Sequence, residues 1–159
     1  MTEPDIKPKP KANIRFLYTF CNDVKLIRAF YTDLLGMTEV SFMDTEDFGW
    51  LAYQCEGLQY MFFRADSKLP HEHRWAEQPG ESVEGAAPLM SFSLEYNEGD
   101  LRKLVMQARE AGIKAASENP TWRQQSYWGW TVKDPMGNTI ELYAAPAKHP
   151  EGDAPEWKD

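Results

Sequence analysis

The most informative segment of the chain is Gly129-Trp-Thr-Val-Lys-Asp-Pro-Met-Gly-Asn-Thr-Ile-Glu-Leu-Tyr143. Proline fixes φ and glycine tolerates positive φ, so Asp134-Pro-Met-Gly137 predicts a tight turn. The runs on either side alternate between apolar and polar residues, which predicts two paired strands. The segment therefore predicts a β-hairpin.

The register of this hairpin decides which side chains share a face. If Asp134 pairs with Asn138, Thr131 lies opposite Glu141. The side chains then predicted to face the helices are Trp130, Val132, Ile140 and Leu142. Those predicted to face a cleft on the other side are Tyr127, Thr131, Glu141 and Tyr143.

The same order of elements is predicted twice along the chain. A strand from Ile14 to Cys21 precedes a helix that Asn22-Asp23 caps and Gly36 ends, and a strand at Leu89–Tyr96 precedes a helix capped by Asp100. The apolar face predicted for the first helix consists of Leu26, Ile27, Phe30, Tyr31, Leu34 and Leu35. Four of these positions recur 74 residues later: Ile27, Phe30, Tyr31 and Leu34 correspond to Leu101, Leu104, Val105 and Ala108. The further predicted strands are Thr38–Met43, Trp50–Cys55, Leu58–Phe63, Lys114–Ser117, Tyr127–Lys133 and Thr139–Ala145.

This duplication predicts two tandem modules. The expected divisions are a flexible lead at 1–12, a first module at 13–65, a linker at 66–88, a second module at 89–146 and a polar tail at 147–159. One βαβββ unit cannot cover both faces of its own sheet, so two units are expected side by side.

Two segments resemble signatures of the vicinal-oxygen-chelate superfamily, which contains glyoxalases, extradiol dioxygenases and bleomycin-resistance proteins. They are Asp23 with Phe30-Tyr31 and Leu35-Gly36-Met37, and Asp134-Pro-x-Gly-Asn-x-Ile-Glu-Leu142. The resemblance implies an α+β fold in which two tandem βαβββ modules form a curved mixed sheet around a cleft, with helices outside. It also implies a homodimer.

The resemblance further implies a metal site in the metal-dependent members, with a His, Gln or Glu early in each module's first strand and a carboxylate on its last. The corresponding positions here are Phe16, Ser91 or Ser93, Met61 or Phe62, and Glu141. A stable transition-metal site needs at least three suitable ligands. We therefore predict no metal and no cofactor.

Two other features bear on metal binding and on Glu141. His71-x-His73 has a chelating spacing, but no third ligand is evident nearby, so ordinary surface histidines are expected. No second titratable group is expected beside Glu141. In an empty cleft its carboxylate should meet water and tyrosine hydroxyls.

Composition excludes several classes of function. The net charge of −8 argues against nucleic-acid binding, which needs a basic face. No apolar run reaches membrane-spanning length, and the start of the chain lacks the pattern of a signal peptide. A cytoplasmic location with Cys21 and Cys55 as free thiols is expected.

The leading functional hypothesis is a bleomycin-resistance-like protein without the family metal site. It would bind or sequester a small aromatic molecule, with or without positive charge. The candidate ligand-binding residues are Phe16, Tyr18, Phe20, Trp122, Tyr127, Thr131, Glu141 and Tyr143. The alternative is a lyase, isomerase or dioxygenase of the glyoxalase type with Glu141 as base or ligand. A third hypothesis is a module that binds a protein partner.

Overall fold

The computed structural model describes residues 10–159, and within them the chain folds into two four-stranded sheets with helices on one side of each. The strands of the first sheet are β1 (Phe16–Cys21), β2 (Glu39–Asp44), β3 (Gly49–Cys55) and β4 (Leu58–Arg64). Those of the second are β5 (Phe92–Glu95), β6 (Thr121–Arg123), β7 (Tyr127–Lys133) and β8 (Thr139–Ala144). The predicted lead at 1–12 lies outside the described residues except for 10–12, which form neither helix nor strand.

The two sheets have the same topology. Their strand orders are β1-β4-β3-β2 and β5-β8-β7-β6. In each sheet the first strand runs parallel to the last, and the remaining pairs are antiparallel. The predicted α+β fold of two tandem βαβββ modules is confirmed.

The first helix begins where the sequence predicts. The Asp23 carboxylate accepts the backbone N–H groups of Lys25 and Leu26, at 2.8 and 3.3 Å, and so caps helix α1 (Val24–Arg28). A π-helical turn at Ala29–Leu34 continues it. This turn places Tyr31 fully inside the protein.

Three details of the sequence prediction are wrong. Helix α2 (Glu98–Glu110) is capped by Asn97 rather than Asp100, because the Asn97 side chain accepts the backbone N–H of Asp100, the third residue of the helix. Leu26 is exposed, since it lies beside the buried stripe rather than on it. The predicted strand at Lys114–Ser117 contains only an isolated bridge, and β6 takes its place at the sheet edge.

The hairpin register is confirmed. The backbone N–H of Asp134 donates to the carbonyl of Asn138 at 2.9 Å, and Thr131 pairs with Glu141. The side chains predicted to face the helices all join the hydrophobic core: Trp130, Val132, Ile140 and Leu142. The polar side chains of the hairpin therefore lie on the opposite face.

The two modules contact each other within one chain. The Tyr31 hydroxyl donates to a carboxylate oxygen of Asp134 at 2.8 Å, and both residues are buried. The Tyr31 ring also stacks on Phe92 of β5, and the Tyr96 hydroxyl donates to the carbonyl of Leu35 at 2.7 Å. These contacts link the first helix to the closing hairpin and to the segment around β5.

Among residues 10–159, none of the helices has both the length and the apolar character that crossing a bilayer requires.

Tyr31→Phe should lower the free energy of unfolding by about 1.5–3 kcal/mol, because it removes a buried hydrogen bond to a carboxylate. The matched control is Tyr18→Phe, whose hydroxyl is exposed and which should change stability by less than about 0.5 kcal/mol. Urea unfolding measures both. Equal stability of the two variants would contradict a structural role for the Tyr31–Asp134 bond.

Candidate functional site

Glu141 lies in the middle of β8 on the face opposite the helices, and only 3% of its surface is exposed. Each carboxylate oxygen has a hydrogen-bond donor. Oε1 accepts the hydroxyl of Ser93, the neighbouring residue on β5. Oε2 accepts hydrogen bonds from Nη1 of Arg123 at 2.7 Å and from the hydroxyl of Tyr127 at 3.3 Å.

Arg123 is the residue that sequence reasoning missed. It belongs to β6, the strand that was not predicted, and its side chain is completely buried. The expectation that no titratable group lies beside Glu141 is wrong, because the Arg123 guanidinium forms an ion pair with it. A second carboxylate, that of Glu81, pairs with the same guanidinium.

Residues 72–87, here called the covering segment, lie across this face of the second sheet. The Gln78 amide oxygen accepts the hydroxyl of Thr131 at 3.2 Å, and the backbone N–H of Ala76 donates to the Thr139 hydroxyl at 2.9 Å. Lys133 donates from Nζ to the carbonyl of Arg74 at 2.6 Å, and burial lowers the pKa of Lys133. Part of the predicted linker thus closes the face that carries Glu141.

Gly129 makes room for the ion pair. A Cβ at this position would lie 2.6 Å from Cδ of Arg123 and 2.9 Å from Oε2 of Glu141. Such distances are far inside van der Waals contact, so a larger residue would displace the guanidinium. Packing around the ion pair therefore requires glycine at position 129.

The corresponding face of the first sheet has a different character, because it is aromatic and open. Phe16, Tyr18 and Phe20 of β1 are 58%, 66% and 48% exposed. They line a shallow apolar groove together with Met61 and Phe63 of β4. The Phe63 ring contacts Phe20 with ring centroids 5.7 Å apart.

A cavity of about 370 Å³, here called the seam cavity, lies where β1 approaches the start of β5 and β8. Its lining consists of Phe16, Leu17, Tyr18, Thr19, Tyr60, Met90, Ser91, Phe92, Asn138, Thr139 and Ile140. The volume is at the lower end of the range for small-molecule sites. Phe16 and Tyr18 belong to both the groove and the seam cavity.

The structure thus divides the predicted site residues into three places. Phe16, Tyr18 and Phe20 lie together on the open face. Glu141 forms the buried ion pair with Arg123, and Tyr127, Thr131 and Tyr143 lie around it. Trp122 lies on the helix side of the second sheet, where its ring packs on Trp128 at 5.1 Å. Glu141 does not line the seam cavity.

Comparison with known proteins identifies the class of fold. Residues 14–142 match the model of the Glyoxalase/Bleomycin resistance protein/Dioxygenase superfamily, and the chain belongs to this family. No curated protein gives a significant match.

Solved structures show the same fold at low sequence identity. A glyoxalase/dioxygenase from Nostoc punctiforme is 16% identical with a TM-score of 0.64, and the match covers 92% of this chain and 99% of that one. Lactoylglutathione lyase from Agrobacterium tumefaciens is 18% identical with a TM-score of 0.54, covering 86% and 96%. The fosfomycin resistance protein FosX from Listeria monocytogenes is 11% identical with a TM-score of 0.57, covering 86% and 95%.

The metal that the family resemblance implies does not fit these residues. The sequence predicts Phe16 at the first-strand ligand position of the first module, but strand pairing places Tyr18 there, because Tyr18 lies beside Met61 as Ser93 lies beside Glu141. Glu141 is the one carboxylate among these four equivalent positions. Both of its oxygens already accept hydrogen bonds. Within residues 10–159, no three His, Cys, Asp or Glu side chains are grouped so that they could hold a metal ion.

His71 and His73 lie side by side, with ring centroids 5.1 Å apart. Glu72 between them is engaged by Arg74, which donates to its carboxylate at 2.9 and 3.0 Å. His71 also lies so close to Gly137 that a Cβ there would be 2.6 Å from its ring. His71 therefore lies against the turn of the closing hairpin.

Gly129→Ala should lower the free energy of unfolding by about 1–3 kcal/mol, because the added methyl group overpacks the Arg123–Glu141 pair. Gly99→Ala in helix α2 is the matched control. Its Cβ would meet Asn97 Oδ1 at an ordinary 3.5 Å, and alanine favours the helix, so stability should be equal or higher. Urea unfolding of the three proteins tests this, and an unaffected Gly129→Ala variant would refute the packing role.

Protein purified without chelators should contain well under one equivalent of zinc, iron, nickel or manganese per chain. The reason is that one fully engaged carboxylate does not provide a transition-metal site. Elemental analysis of the purified protein measures the content, and melting with and without EDTA serves as the control. A stoichiometric metal that EDTA removes, with a lowered melting temperature, would show that other ligands exist.

Proposed function

We propose that this protein binds a small aromatic molecule in the seam cavity and holds it without a metal ion. The observation that carries the proposal is the row of exposed aromatic side chains on β1, which leads directly into that cavity. Exposed apolar surface of this kind is costly in water and commonly marks a binding site. The corresponding face of the second sheet is covered by residues 72–87, the covering segment.

The walls of the cavity favour a flat ring. Phe16 and Tyr18 form one side, and Phe92 forms another together with the ring of Tyr60, whose centroid is 4.8 Å from that of Phe92. Aromatic rings pack on a ligand ring by stacking or edge contacts, each worth about 0.5–1.5 kcal/mol beyond area burial. An aliphatic ligand would not gain this contribution.

Tyr60 supplies a polar contact that the sequence did not reveal. Its side chain is buried in the cavity wall, and its hydroxyl takes part in none of the hydrogen bonds among residues 10–159. Burial raises the pKa of Tyr60, so the hydroxyl keeps its proton and is a donor at neutral pH. It fits an oxygen or nitrogen acceptor on the ligand.

Positive charge on the ligand is not required. The carboxylate of Glu141 is already neutralised by Arg123 and lies outside the seam cavity. The net charge of −8 favours cations only through a long-range field, which salt screens. We therefore propose that neutral aromatic ligands bind at least as well as cationic ones.

The contacts of Glu141 weigh against the enzyme alternative in which it acts as general base. A base must reach the proton that it removes, within about 2.6–3.2 Å. The Glu141 oxygens are instead occupied by Arg123 and Ser93 beneath the covering segment. Binding without chemistry is the simpler proposal.

We also propose that the protein is a homodimer in the cytoplasm. The open face of the first sheet extends beyond β1 to the exposed side chains of Met43 and Phe48, a larger apolar surface than one small ligand covers. A second copy on this face would enclose the seam cavity. The cytoplasmic location is supported by Cys21 and Cys55, which are both free thiols.

Calorimetric titration with 2-naphthol, a neutral aromatic probe, tests the ligand site. Phe16→Ala and Tyr60→Phe should each weaken binding by about 0.5–1.5 kcal/mol, through a lost ring contact and a lost hydrogen bond respectively. Trp122→Phe, on the far side of the second sheet, is the control and should leave affinity unchanged.

The cation N-methylquinolinium, of similar size, tests the role of charge in the same titration. It should bind no more tightly than 2-naphthol. Unchanged 2-naphthol affinity in both cavity variants would remove the seam cavity as the site. A strong preference for the cation would restore a role for an acidic group.

Light scattering at micromolar concentration should give a mass of about twice 18.3 kDa. Met43→Lys should shift the protein towards monomer, because a charge on an apolar interface must lose its hydration. Met106→Lys is the control, since Met106 is equally exposed but lies on helix α2. A parent protein of 18.3 kDa would refute the dimer.

A further inference from the structure

The guanidinium of Arg123 is fully buried, and each of its nitrogen atoms donates a hydrogen bond. Nε donates to Thr121 Oγ1 at 3.0 Å, and Nη1 donates to Glu141 Oε2 at 2.7 Å. Nη2 donates to Thr131 Oγ1 at 3.0 Å and also pairs with Glu81. Isolated charges are very costly to bury, so a cation with this many partners belongs to a built site.

We infer that the Arg123 side chain is the resident cation of the Glu141 centre, in the place where a metal ion would bind the same carboxylate. A metal ion on Glu141 would need one of its two oxygens. One is taken by the Ser93 hydroxyl and the other by the guanidinium. The positive charge that this carboxylate requires is thus supplied by a side chain of the protein itself.

The cradle around the guanidinium suits its planar shape. Two carboxylates, from Glu81 and Glu141, and two hydroxyls, from Thr121 and Thr131, accept from different edges of one plane. A guanidinium presents five N–H donors in a fixed planar arrangement, whereas an ammonium is a compact point charge. Gly129 leaves the space in which the plane fits.

This arrangement has a consequence for ligand binding. If Arg123 is truncated, the carboxylates and hydroxyls that surround it remain, and they form a site for a free guanidinium or amidinium cation. The parent protein should not bind such a cation there, because its own side chain fills the cradle.

The experiment is chemical rescue of Arg123→Ala with methylguanidinium chloride, from zero to about 50 mM. The melting temperature of the variant should be lower than that of the parent and should rise saturably with methylguanidinium. Tetramethylammonium chloride at the same ionic strength has the charge but no N–H donors and should have no such effect. The parent protein should respond to neither salt.

The double variant Arg123→Ala/Glu141→Gln tests which carboxylate is responsible. Its dissociation constant for methylguanidinium should be weaker by about tenfold or more, since a charge-assisted hydrogen bond is lost. Equal rescue by the two salts, or an Arg123→Ala variant as stable as the parent, would overturn the inference. So would an affinity that Glu141→Gln leaves unchanged.

A measurement on the parent protein covers the case in which Arg123→Ala does not fold. In ¹H–¹⁵N spectra of the arginine side chains, Arg123 should show a slowly exchanging Nε–H and resolved Nη resonances, because every nitrogen is bonded. Arg123→Lys assigns these signals by their loss. A rapidly exchanging, freely rotating Arg123 guanidinium would contradict the inference without any destabilised variant.

Discussion

The buried ion pair between Arg123 and Glu141 is the constraint on which the second module depends. A carboxylate in the middle of a sheet face must lose its hydration, and the loss is tolerated because a guanidinium and a serine hydroxyl replace the water. That requirement explains the edge strand β6, which places Arg123 within reach. It also explains Gly129, where a side chain would occupy the space of the guanidinium.

The same pair accounts for the path of the covering segment. A guanidinium that pairs with one carboxylate still has unused N–H donors. Glu81, in the covering segment that joins the two modules, accepts a hydrogen bond from Arg123. Gln78 and the backbone of Ala76 satisfy further polar groups of the second sheet. The second sheet is therefore closed by polar contacts. The first sheet has an apolar face that meets no such partners among residues 10–159, and its side chains are exposed there.

This asymmetry between two modules of equal topology bears on function. In a duplicated fold the two cleft-facing surfaces start from equivalent positions, yet one here is filled by its own chain and the other carries exposed aromatic rings. The seam cavity lies between them, and Tyr60 is among the residues of its mostly apolar lining. A family fold is thus adapted by side chains and by one connecting segment, while the backbone topology stays the same.

Local sequence patterns by themselves determined the repeated order of strands and helices, with the edge strand β6 as the exception. The Asp-Pro-Met-Gly turn fixes the hairpin register, because the position of the turn agrees with the alternation of apolar and polar residues in the two strands. The first helix follows from the capping side chain of Asp23 and from a repeated apolar stripe. They also indicated that Glu141 lies away from the core. Tertiary structure alone decided what meets Glu141. Arg123 and Glu81 lie 18 and 60 residues from it, and a buried arginine in a three-residue edge strand has no periodic signal. Local patterns record which face a residue occupies, whereas the partner of a buried charge depends on how distant segments pack.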